Sequence, residues 1–186
     1  MLYLVRHGES TWNVAGRLQG CTPDVPLTAR GHAQAEEAAD VLADRRVWAV
    51  VSSDQRRAVD TAAVIAARLG LPVVTTPALR EQCHGAWEGG PAAGRAALLA
   101  AADPDWAPPG GESARALATR VAGFLARDAT DATVIVSHGE TLRTALALLT
   151  GDTDRAVPAN GAVTSVGGGP DGRRRVVGRE CAGLLA

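Results

Sequence analysis

Apolar residues follow two rhythms along this chain. Met1 to Val5, Val47 to Val51, Pro72 to Thr75 and Ala132 to Val136 are short unbroken runs, the length of strands and apolar enough to be buried on both faces. Other stretches repeat at three and four residues. Thr28 can cap a helix through Ala35, Ala38, Val41 and Leu42, and Ser113 one carrying Leu117, Val121, Phe124 and Leu125. Further helical patterns cover Asp54 to Leu69 and Thr141 to Thr150. Alternating strands and helices predict an α/β layered domain. Ala162 to Val166 and Arg173 to Val177 flank a glycine-rich stretch, Gly167 to Gly172 with Pro170 inside it, and predict a terminal hairpin.

At 186 residues, the chain suits a single domain spanning 1–186. Glu88 to Gly111 breaks the alternation. Gly89-Gly90-Pro91 opens this stretch, Pro108-Pro109-Gly110-Gly111 closes it, and alanines fill the middle. It reads as a short lid-like excursion, the kind of segment that carries function in compact α/β domains.

Composition narrows the chemistry. Hydrophobic residues make up 46% and charged residues 21%, with net charge −1, so neither disorder nor binding to nucleic acid is indicated. Every basic residue is arginine, which excludes a lysine Schiff base and a P-loop lysine. Cys21, Cys83 and Cys181 are odd in number and lack a CxxC pair, which argues against a disulfide framework or a cysteine-rich metal site and favours a reduced interior. No apolar run is long enough to span a membrane. The expected location is cytoplasmic.

In open α/β sheets, ligands bind beyond the carboxyl ends of the strands. Reactive residues fall there in this chain. The first run ends at Arg6-His7, the second at Ser52-Ser53 with Arg56 and Arg57 close behind, the third is followed by Leu79-Arg80-Glu81, and the fourth ends at Ser137-His138. Two histidines, arginines and a carboxyl group converge without a serine or cysteine nucleophile paired to a base. Histidine can itself attack phosphorus, and the arginine fork suits a tetrahedral oxyanion. Phosphoryl transfer through a phosphohistidine fits: His7 attacks, while Arg6, Arg57 and His138 hold the equatorial oxygens. Glu81 can protonate the leaving alkoxide if a neighbouring phosphate dianion favours its acid form, and can then activate water. No metal or other cofactor is needed.

These residues sit within a longer ordered set. Leu4 to Ser10 reads LVRHGES, followed by Trp12-Asn13, Gly16-Arg17-Leu18-Gln19-Gly20 and Pro26-Leu27-Thr28 with Gly31. Ser52-Ser53-Asp54, Arg57-Ala58, Thr61-Ala62, Leu79-Arg80-Glu81, Trp87-Glu88-Gly89, Gly110-Gly111-Glu112-Ser113 and Ser137-His138-Gly139 complete it. Together they resemble the histidine phosphatase superfamily, also called the phosphoglycerate mutase-like family, over nearly the whole chain. The resemblance implies a three-layer α/β/α sandwich with a mostly parallel central sheet. It implies His7 as the phosphorylated residue, Arg6, Arg57 and His138 as the phosphate clamp, and Glu81 as the general acid. Asn13 and Gln19 match positions that line the phosphate pocket in the phosphatase branch, and Gly139 offers a backbone N–H.

The excursion is shorter than the shielding segments of glycolytic mutases, and a phosphohistidine exposed to water hydrolyses. The expected activity is therefore a metal-independent phosphomonoesterase. Its partner is a small-molecule phosphate ester, with a homodimer left open. The alternatives are mutase-type phosphoryl transfer and a non-catalytic phospho-ligand module. Glu81 can alternatively serve as a structural partner of Arg80, and His84 can touch substrate or be a solvated loop residue. Trp12 and Trp87 are read as packing, Cys21 and Cys83 as ordinary thiols, and Arg173-Arg174-Arg175 as an exposed strand face. A site built from the four histidines lacks close ligand spacing.

Overall fold

The computed structural model describes residues 1–152, 156–169, 171 and 173–180. Cys181 lies outside them. Six strands form one mixed sheet in the order β3-β2-β4-β1-β5-β6. They are β1 (Leu2–Arg6), β2 (Ala49–Ser53), β3 (Val73–Thr76), β4 (Thr133–Ser137), β5 (Val163–Gly168) and β6 (Arg174–Glu180). β1, β2, β3 and β4 pair in parallel, whereas β5 runs antiparallel to both β1 and β6. The parallel set sends the carboxyl ends of β1, β2 and β4 to one rim.

Alternate residues of the central strands feed two cores. Tyr3, Val5, Val50, Val134 and Val136 pack with Ala38, Leu42, Ala62 and Ile65 from α2 (Ala29–Ala43) and α3 (Arg56–Leu69). Leu2, Leu4 and Ile135 pack on the opposite face with Leu117, Phe124, Leu142 and Leu146 from α5 (Ala114–Arg127) and α6 (Gly139–Thr150). A sheet between two helical layers follows from that alternation.

The expected caps are present. The Thr28 hydroxyl accepts from Gly31 N at 3.0 Å, and the Ser113 hydroxyl from Ala116 N at 3.2 Å. β4 is buried throughout, as its continuous apolar run predicts. β3 departs from that expectation, with Val74 57% exposed, because it is an edge strand with a neighbour on one side only. β6, at the other edge, alternates half-buried and exposed positions through Arg174 and Arg175. The excursion folds a short helix, α4 (Arg95–Ala101). Near the amino end, α1 (Thr11–Val14) is fixed by a reciprocal cap between Ser10 and Asn13.

Cys21 and Cys83 are not separate thiols: they form a disulfide, with Cα atoms 4.6 Å apart. They lie 62 residues apart in sequence, and only the docking of two loops brings them together.

Candidate active site

The rim carries a cavity of about 600 Å³ lined by Arg6, His7, Asn13, Gln19, Arg57, Glu81 and Gly139. His138 lies behind it, its ring centroid 5.1 Å from that of His7. The structure thus brings together every site residue read from the sequence.

His7 continues the sheet, its backbone N–H donating to Ser137 O at 2.9 Å. Its Nδ1 lies 2.7 Å from the carbonyl of Gly8. A carbonyl only accepts, so Nδ1 carries the proton and Nε2 the lone pair. Burial and the charges of Arg57 and Arg6 hold the His7 pKa well below 6.5, so the ring is neutral at neutral pH. That is the form a nucleophile needs.

Arg6 donates through Nη1 to Pro158 O at 2.7 Å. Arg57 is fully buried and donates to Gly20 O at 2.8 Å and Thr22 O at 3.0 Å. Desolvation lowers its pKa to about 10, against the opposing charges of Glu81 and Glu88, so it stays cationic at neutral pH. Its neighbour Arg56 points outward and pairs with Asp24 and Asp60. The Nε atoms of Arg6 and Arg57 and both ring nitrogens of His138 are buried without a protein partner among the described residues. Unpaired buried donors are costly, and here they cluster around one imidazole. His138 is also kept neutral, with its pKa well below 6.5 through burial and the nearby Arg57, His7 and Arg6.

Glu81 sits at the amino end of α6. Its Oε2 accepts from Glu140 N at 3.1 Å, and its Oε1 from Thr141 N and the Thr141 hydroxyl, each at 3.1 Å. Arg80 turns away to a bidentate pair with Asp54 at 2.7 and 2.6 Å. Asn13 and Gln19 are linked through Ser10, whose hydroxyl oxygen lies 2.9 Å from both Asn13 Oδ1 and Gln19 Oε1 and donates its one proton to either. His84 is 3% exposed and lines the cavity, with its Nδ1 unpartnered. Trp12 stacks under Arg17 and Trp87 against Trp106.

Four supporting residues escape a reading of the sequence alone. Gln55 donates to Gly20 O and Thr22 O while its Oε1 accepts from Glu81 N, tying the Gly20–Thr22 turn to Glu81. Glu88 accepts from Cys21 N, His84 N and the Thr22 hydroxyl. Arg120 pairs with Glu112 and donates to Glu81 O at 3.2 Å. Asn160 donates to His7 O at 3.0 Å. Glu88 and Glu112 fall within Trp87-Glu88-Gly89 and Gly110-Gly111-Glu112-Ser113, whereas Gln55 carries no signal and Asn160 only that of an Asn-Gly turn.

Among the described residues, the one group of potential metal donors within mutual reach is Cys21, Cys83 and Glu88. It contains no histidine. No described helix is long and apolar enough to cross a membrane.

Fold and site together define an open α/β scaffold that presents a neutral histidine in a cavity lined by arginines. A sequence profile of the histidine phosphatase superfamily, branch 1, matches residues 2–177, and the chain belongs to that superfamily. A glucosyl-3-phosphoglycerate phosphatase from Mycolicibacterium vanbaalenii is 43% identical over 118 residues, covering 60% of this chain and 52% of that protein. A probable phosphoglycerate mutase from Proteus mirabilis is 45% identical over 87 residues, covering 47% of this chain and 40% of that protein. The matched stretch thus spans about half the length of these curated relatives. The solved structure of a mycobacterial glucosyl-3-phosphoglycerate phosphatase in complex with VO3 superposes with a TM-score of 0.80 at 33% identity, covering 95% of this chain and 97% of that one.

Proposed function

We propose that this protein is a metal-independent phosphomonoesterase that hydrolyses a small phosphorylated metabolite through a phosphohistidine on His7. The observation that carries the reading is the His7 tautomer. Nδ1–H donates to Gly8 O, so Nε2 holds its lone pair beside the unpartnered donors of Arg6, Arg57 and His138. In the first step Nε2 attacks phosphorus, the P–O bond to the alcohol breaks, and Glu81 hands its proton to the departing oxygen. In the second, the Glu81 carboxylate takes a proton from water, which attacks phosphorus and releases inorganic phosphate and free His7. Arg6, Arg57 and His138 balance the equatorial oxygens throughout, and Asn13, Gln19 and Gly139 line the same pocket.

The names of the relatives make phosphorylated glycerate esters the first substrates to try. The proposed location is the cytoplasm. A mutase-type relative makes return of the phosphoryl group to a second hydroxyl the competing outcome.

Hydrolysis of p-nitrophenyl phosphate with chelator present tests the reading, with a phosphoglycerate mutase assay run in parallel. His7→Ala should abolish turnover and labelling by radioactive phosphoryl donor while the circular dichroism spectrum is kept. Near-normal turnover of that variant would remove His7 as the nucleophile, and an inactive wild type would leave a binding module.

A further inference from the structure

We propose that Cys21 and Cys83 form a reversible thiol–disulfide site just outside the active-site cavity, behind its lining residues Gly20, Gln82 and His84, oxidised by the disulfide of a low-molecular-weight thiol, which sets how firmly the acid-bearing segment is held against the phosphate clamp. The redox site stands apart from the phosphatase reading, whereas its effect on turnover rests on that reading.

The bond joins the two stretches of chain whose relative position the chemistry needs fixed. Cys21 directly follows Gly20, whose carbonyl accepts from both Arg57 and Gln55. Cys83 lies two residues beyond Glu81, and its neighbour His84 lines the cavity. Every ångström between these segments changes the distance from the proton on Glu81 to the oxygen that needs it. Misplacement on that scale is costly to rate.

Two side chains hold the cysteines together independently of the bond. Glu88 accepts through Oε1 from Cys21 N and from His84 N, both at 2.9 Å, and so clips the backbone beside each cysteine. Gln55 bridges Gly20 O and Thr22 O on one side and Glu81 N on the other. Segments already docked this way keep the second thiol beside a mixed disulfide formed on the first, and such preorganisation favours ring closure over escape. Both cysteines are half-buried, so a small disulfide can reach them.

The chemistry balances. One cysteine thiolate attacks the reagent disulfide, breaks its S–S bond and releases one reagent thiol. The second thiolate attacks the resulting mixed disulfide and releases the other. Two protein thiols lose two electrons and two protons, and the reagent gains both. Reduction by excess thiol reverses each step. In the reduced protein Gln55 and Glu88 still hold the loops, so the site survives in a looser form.

The test equilibrates the full chain, carrying Cys181→Ser in both the otherwise wild-type protein and its variant, in mixtures of reduced and oxidised glutathione, then counts thiols after unfolding and measures turnover of an alkyl phosphate and of p-nitrophenyl phosphate. Oxidation should remove two thiols in the wild type and none in a Cys21→Ser/Cys83→Ser variant. Reduction should slow the alkyl ester roughly fivefold and the p-nitrophenyl ester less than about twofold, because p-nitrophenolate leaves without a positioned acid. The double variant should behave as reduced enzyme whatever the buffer. Thiols that stay free in every mixture would overturn the site. A bridge that forms with no difference between the two esters would make it a structural staple only. Stoichiometric zinc retained by the reduced protein through Cys21, Cys83 and Glu88 would replace the redox reading with a metal site. Thiol counts and zinc content need no turnover, so they stand even if the phosphatase reading fails.

Discussion

At the scale of single residues, the site is governed by how charge is distributed in a buried space. Arg57 keeps its charge in full burial because Glu81 and Glu88 oppose it and two backbone carbonyls accept from it. The same arginine, with Arg6, makes protonation of His7 and His138 unfavourable. Both rings therefore stay neutral as pH falls through 6.5, while in the unfolded chain they take up protons. Stability is complete above that pH and is lost as pH drops below it, because the unfolded state binds more protons there. Ring-proton NMR should show both midpoints below 6.5 and the melting temperature should fall on acidification, less steeply in His138→Asn; a midpoint at 6.5 would contradict the burial argument. Glu81→Gln retains an oxygen to accept from the α6 amides, so the fold should hold. Hydrolysis of alkyl phosphates should fall roughly 100-fold, with far less effect on p-nitrophenyl phosphate. Equal slowing of the two would take the acid role from Glu81.

At the scale of elements, strand ends and helix starts interlock. A Cβ on Gly8 would lie 2.2 Å from Gly31 O, and one on Gly31 would lie 2.0 Å from Glu9 O. The amino end of α2 therefore presses directly on the turn that follows β1 and fixes His7 from behind. Gly8→Ala must push backbone against backbone, and urea unfolding should show a loss of about 1–3 kcal/mol, with turnover falling alongside. Unchanged stability would mean that α2 is free to slide. The reading of the sequence started the last helix at Thr141, but α6 begins at Gly139. That shift matters, because it leaves the amides of Glu140 and Thr141 to receive Glu81 and makes His138 the capping residue. Capped, periodic helices such as α2 and α5 were legible from Thr28 and Ser113. α1 was not, since four residues make too short a repeat to register.

At the scale of the whole molecule, α4 and the residue after it bring Leu99 and Ala102 into the lining of the same cavity as Arg6, His7 and Arg57. Leu99→Ala should raise KM for a glycerate-type ester roughly threefold and leave kcat within about twofold; an unchanged KM would exclude α4 from recognition. Strands and main helices were legible in the sequence, because strands covered on both faces are unbroken apolar runs and helices packed on one face repeat every 3.6 residues. Candidate reactive residues were legible as well, because Arg6-His7 and Ser137-His138 stand at strand ends and Arg57 in the first turn of the helix behind β2, whereas Glu81 lies five residues beyond β3. Only the tertiary structure decided which atom of His7 is free, since the Gly8 carbonyl settles the tautomer. It alone placed Gln55, Glu88, Arg120 and Asn160 behind the site and joined Cys21 to Cys83. Apart from Glu88 with His84 and Arg120 with Glu112, those contacts bridge residues from 26 to 153 positions apart, and local pattern carries no record of which distant loops will meet.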